Sequence, residues 1–153
     1  EATGEESTSQ VSDRIQVVSQ SGIVNSSGDQ INVTDIDFVV AKAPGAGSID
    51  LNQTSVELIG ENGQETFQLD EDPPATNDIF TKTADSNVLT DNSDRAEVVV
   101  DLESSAFEDP DGYALTEGDS LTVTFTTAAG ASTTTEIRVP TTLVGDDGDS
   151  VRL

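Results

Sequence analysis

The chain has 153 residues, enough for one domain whose core needs no covalent staple. Six Lys and Arg against 30 Asp and Glu give a net charge of −24, which repels phosphate backbones and anionic headgroups and argues against nucleic-acid and membrane-surface partners. The absence of Cys and His removes disulfides, thiol nucleophiles, the usual general base and soft-metal sites, and no apolar run approaches the ~18 residues of a membrane helix.

Such a charge at modest hydrophobicity is also the composition of disordered chains, yet here apolar residues recur at regular intervals between turn residues. Residues 1–10 are polar and aperiodic and read as a linker or the end of an upstream helix, with one domain over 11–153. A first strand is expected over 13–20, with Ile15 and Val17 on one face, and a turn over Asn25-Ser26-Ser27-Gly28-Asp29. The segment 30–43 is strand-like with a change of phase. Ile31 and Val33 are apolar at odd positions and Ile36, Phe38 and Val40 at even ones, so a bulge is expected near Thr34-Asp35. Strands follow over 48–51, 55–59 and 64–69, the last two joined by a turn at Asn62-Gly63. Residues 70–78, with Pro73-Pro74, read as a loop, and weaker strand signals occupy 79–83 and 87–90. Val98, Val100 and Leu102 mark a strand over 95–102, followed by an acidic loop over 107–118. The cleanest alternation is Leu121, Val123 and Phe125 inward against Thr122, Thr124 and Thr126 outward. A partner strand over 133–139 carries Ile137 and Val139 inward, and 141–153 reads as a tail. The expected fold is an all-β, immunoglobulin-like β-sandwich of about eight or nine strands, without the Cys pair and buried Trp of true immunoglobulin domains.

Much of the acid falls in the loops of this scheme, as in Asp70-Glu71-Asp72 and Glu108-Asp109-Pro110-Asp111. A surface rich in acid and nearly free of lysine suits very high salt, where a Debye length of about 3 Å screens self-repulsion. Catalysis finds little support. Lys42 and Lys82 lie in no Ser/Lys motif, and carboxylate pairs have few aromatic residues with which to line a sugar cleft, so no enzyme and no catalytic residue are assigned.

Two loops have the makings of a hard-cation site, with carboxylates beside a flexible glycine: Asp109 and Asp111 before Gly112, and Asp146, Asp147 and Asp149 around Gly148. Calcium or magnesium is the ion such loops would take, although neither has the spaced bidentate Glu of an EF-hand and a solvated loop is the plainer reading. Asn25, Asn32 and Asn52 each head an N-x-S/T triplet without proline, and each is expected to face solvent as a glycan acceptor must. The threonine-rich outer face of the strand at 121–127 reads as β-propensity on a wet surface.

The stretch Ser9-Gln10-Val11-Ser12-Asp13-Arg14-Ile15-Gln16-Val17-Val18-Ser19 leading into Gly22-Ile23-Val24 resembles the archaellins of halophilic archaea, the filament subunits of the archaeal flagellum. The likeness continues through 31–40, Lys42-Ala43-Pro44-Gly45, Ile49-Asp50-Leu51 and the closing Pro140-Thr141-Thr142-Leu143 with Val151-Arg152-Leu153. It implies a structural subunit of an extracellular motility filament, made of one or several archaellins, with N-linked glycans on Asn25, Asn32 and Asn52. It also implies a long apolar N-terminal helix that this sequence lacks, so the chain corresponds to the outer domain alone. An adhesion pilin or cell-surface binding module of a halophilic archaeon is the alternative from another class, since it too would be an acidic sandwich without an active site.

Overall fold

The computed structural model describes residues 12–27, 29–61, 63–70, 72, 74–81, 86–103 and 115–153. Among them are eleven strands: β1 Ile15–Ser27, β2 Gln30–Lys42, β3 Ile49–Asp50, β4 Ser55–Gly60, β5 Gly63–Gln68, β6 Ala75–Asp78, β7 Val88–Leu89, β8 Ala96–Asp101, β9 Ser120–Thr126, β10 Ser132–Arg138 and β11 Ser150–Arg152. Nine of them form two antiparallel sheets, ordered β11-β1-β2-β8-β6 and β10-β9-β4-β5, and β3 pairs with β7 in a separate two-stranded ladder.

The inward positions named by the alternation meet between the sheets, as a β-sandwich requires. Ile36, Phe38, Val40, Val98 and Val100 of the larger sheet are buried, as are Val56, Leu58, Leu121, Val123 and Phe125 of the smaller one. The Phe38 and Phe125 rings join the two layers edge to face, with centroids 5.2 Å apart and planes at 88°. That geometry is worth about 0.5–1.5 kcal/mol beyond the burial itself.

The phase change in β2 is a bulge. Ile23 pairs with Asp35 but Val24 with Val33, so Thr34 is the extra residue, and its hydroxyl turns to the Asp35 carboxylate at 2.9 Å. A second bulge leaves Val18 of β1 without a partner and half exposed. Bulges of this kind let one long strand serve two packing faces.

Four expectations need correction. The segment 25–27 continues β1 instead of turning. The loop expected over 70–78 contains β6, an edge strand beginning just after Pro74, where a missing N–H can be tolerated. Residues 79–81 carry no strand, and 82–83 lie outside the described residues. Finally, the tail returns to the sheet as β11, placing Val151 opposite Gly22 of β1. Gly22 is needed there because a Cβ would lie 2.8 Å from both Leu153 Cδ1 and Val33 Cγ1. The boundary expected between residues 10 and 11 falls outside the described residues.

Candidate functional surfaces

The informative sites are the surfaces of the sandwich and the candidate acceptor asparagines. On the outer face of the smaller sheet, Thr124 and Thr126 of β9 lie opposite Thr134 and Ser132 of β10. Their hydroxyls are hydrogen-bonded at 3.1 and 3.2 Å. Glu136 and Arg138 form an exposed pair at 2.9 Å on the same face, a contact of small energetic weight in water.

The outer face of the larger sheet is acidic. Asp35 and Asp101 are directly opposite on β2 and β8, and Asp37 and Glu97 occupy the same face. Burial pushes the Asp35 carboxyl above the usual carboxylate range. The Thr34 hydroxyl works against the shift and Asp101 adds to it. Asp37 is raised in the same way, first by burial and then by Glu97 and Asp35. Like charges facing each other across a ladder destabilise it, so this face stores repulsion.

The three acceptor triplets have different surroundings. Asn52 sits in a 3-10 turn, Leu51–Gln53, with its N–H capped by the Asp50 carboxylate at 3.0 Å. Its Oδ1 accepts from Asn77 Nδ2 at 3.1 Å, and among the described residues its Nδ2 has no partner. Asn25 is half-buried in β1, opposite Asn32 of β2. Asn32 contradicts the expectation of exposure: only 1% of it reaches solvent, and its Nδ2 is buried without a hydrogen bond. Period-2 alternation assigns Asn32 to the face opposite Ile31 and Val33. The sheet nevertheless continues beside it, because Leu115 bridges to Val33 by two backbone hydrogen bonds of 2.9 and 3.2 Å. The outward side at this point is not wet.

Of the two cation loops, only the one at 146–149 lies within the described residues. Asp109 and Asp111 lie outside the described residues. In the other loop Asp149 closes its own turn, accepting the Asp146 N–H at 2.9 Å. Among the described residues no group of three or more acidic side chains is placed to hold a metal, so Asp146, Asp147 and Asp149 are turn residues here. The sequence did not single out the groove between β1 and β10. It has a volume of 640 Å³, and Arg14, Gln16, Pro44 and Thr134 are among the residues on its walls. Its signal in the sequence is weak, since no short motif marks a place where two strand edges meet.

The model of the archaeal-type flagellin family matches residues 1–137. The chain belongs to that family. It is 50% identical over 156 residues to Flagellin B1 of Natrialba magadii, covering 100% of this chain and 77% of that protein. Flagellin B2 of Halobacterium salinarum is 34% identical over 145 residues, covering 93% of this chain and 71% of its own length. Among solved structures, the flagellin FlaB1 from Methanocaldococcus jannaschii superposes with a TM-score of 0.69 at 12% identity, covering 86% of this chain and 92% of that one. The archaeal flagellum of Methanospirillum hungatei gives 0.65 at 17% identity, covering 99% and 78%. At such identities the two structures speak for the fold, and the sequence relatives carry the family.

Proposed function

We propose that this flagellin is a structural subunit of an archaeal flagellum filament that drives swimming, with the sandwich as its outer domain in the medium. The observation that carries the reading is 50% identity to a haloarchaeal flagellin along the whole chain. The role asks for a stable, soluble wall, and the residues supply one: a buried apolar interior with hydroxyl and carboxylate outer faces. Residues 1–10 are then the passage from an upstream assembly helix to this domain, and the filament is built from this subunit alone or mixed with other flagellins.

N-linked glycans fit Asn52 and Asn25 on this reading. Asn52 has the freer amide, and the hydroxyl of its triplet's Thr54 is engaged by the Asp50 carbonyl at 3.0 Å. Recognition of the triplet therefore has to precede folding. Asn32 is withdrawn as an acceptor, since a glycan on its buried Nδ2 would have to displace the Leu115 segment.

Deletion of the gene in its host, followed by swimming assays and electron microscopy of cell appendages, tests the role. Loss of filaments and of swimming, both restored by the gene, is the expected result. Retained swimming with loss of surface attachment would favour an adhesion module instead.

A further inference from the structure

The free edge of β1 has a counterpart elsewhere on the molecule. On the side away from β2, β11 pairs with Ser21, Gly22 and Ile23 of β1, so residues 15–20 have no ladder partner there among the described residues. β10, which pairs only with β9, is the edge of the other sheet and lies alongside. The seam between them is held by side chains. Thr133 Oγ1 donates to the Ile15 carbonyl, Thr135 Oγ1 to Gln20 Oε1 at 2.7 Å, and Gln20 Nε2 to the Glu136 carbonyl at 3.1 Å.

The groove at the start of this seam has walls that include Arg14, Gln16, Val17, Pro44, Ser132 and Thr134, and among the described residues no carboxylate lines it. In a chain of net charge −24 that is an exception. Among the described residues the exposed Arg14 side chain has no hydrogen-bond or ion-pair partner, and the neighbouring Asp13 carboxylate accepts the Gly47 N–H at 2.8 Å. The groove therefore presents a free guanidinium beside a small apolar floor.

The complement is the turn at 144–149. Val144 is 71% exposed, and the exposed carboxylates of Asp146 and Asp147 have no partner among the described residues. Two backbone hydrogen bonds, Gly148 N–H to the Val24 carbonyl at 2.8 Å and Val24 N–H to the Asp149 carbonyl at 2.9 Å, pin this turn to the far end of β1. At ~3.3 Å per residue the nine steps from Ile15 to Val24 separate groove and turn by about 30 Å. One copy cannot bring them together within itself.

We propose that the β1/β10 groove receives the 144–149 turn of a second copy of this chain. Asp146 and Asp147 meet Arg14, and Val144 covers Val17 and Pro44. The contact is head to tail, and such contacts propagate into open helical assemblies when the rotation does not close. It also suits brine. At ~1 M salt the Debye length of about 3 Å removes the general repulsion between two acidic chains while leaving pairs in direct contact. The inference rests on the filament reading.

The test uses the intact gene product in its host, in which cysteines can be placed at will because this chain has none. Filaments carrying Gln16→Cys with Asp147→Cys are oxidised, dissolved in denaturant and run without reductant. A ladder of three or more linked subunits is expected, absent from either single variant. Filaments that assemble normally yet give no ladder would overturn the contact and leave the filament reading intact. Failure of the wild-type gene to give filaments would overturn that reading, and the contact with it. A second arm pairs Arg14→Glu with Asp147→Arg, both exposed positions that the fold does not use. The single change is expected to make filaments dissociate at lower temperature and the pair to restore them. A pair no better than the single change would also refute the contact.

Discussion

Truncating Phe125 tests whether the two sheets are held as one unit. Phe38 and Phe125 are both fully buried, and their edge-to-face contact crosses from one sheet to the other. Phe125→Ala removes a fully buried ring at a cost of about 3–5 kcal/mol. At ~2–4 °C per kcal/mol for a domain of this size, the melting midpoint should fall by about 6–20 °C. The Leu cycle isolates the contact itself: Phe38→Leu, Phe125→Leu and the double variant should show coupling of about 0.5–1.5 kcal/mol. Urea unfolding in molar KCl is the suitable assay, since urea leaves charge screening unchanged, and all variants should share one m-value. Additive single changes, or two separate transitions for the two sheets, would refute the account of a single core closed by this ring pair.

Other measurements probe the charge, the closing strand and the acceptors. Transfer from molar salt to tens of millimolar should lower the melting midpoint by calorimetry, and equal midpoints would contradict the role given to screening. Because burial and like charges raise the folded pKa of Asp35 and Asp37 above the unfolded value, their ionised forms weaken the native state above the folded pKa. Asp35→Asn and Asp37→Asn should therefore stabilise the domain at neutral pH and low salt by about 0.2–1 kcal/mol each. That gain should shrink as the pH falls through the folded pKa, and a gain that grew on acidification would reverse the assignment. Gly22→Ala places a methyl 2.8 Å from the stiff Val33 side chain as well as from Leu153, and should cost about 1–3 kcal/mol, read as a lower urea midpoint. Glycopeptide mass spectrometry of protein from the host should find sugar on Asn52 and leave Asn32 bare.

What the sequence made legible was local. The alternation of Leu121, Val123 and Phe125 places β9 and its buried face, and the shift from Val33 to Ile36 marks the Thr34 bulge, because both are recorded within a few residues. The strands it hid are those whose pairing depends on distant partners. Ser150-Val151-Arg152 is too short to show a period and is a strand because β1 offers it an edge. Ala75–Asp78 has one aliphatic residue and a proline before it, and is held by β8. Asn32 makes the same point for the acceptors. Its period gives the face it occupies, but what lies beside that face comes from residues more than eighty positions away. The halophilic charge and the family texture were readable from one end of the chain to the other. The groove that Arg14 helps to line is a meeting of two edges, and no stretch of sequence describes it.

The closure of β1 by β11 also bears on how the molecule comes into being. The first strand obtains part of its partner from residues 150–152, with Ser21 paired to Arg152 more than a hundred positions away. A ribosome delivers those residues well after β1, and contacts of such long sequence separation form slowly. Until they arrive, Gly22 faces a gap and the nascent sandwich lacks its lid. The sandwich is thereby kept from locking before residues 150–152 are made.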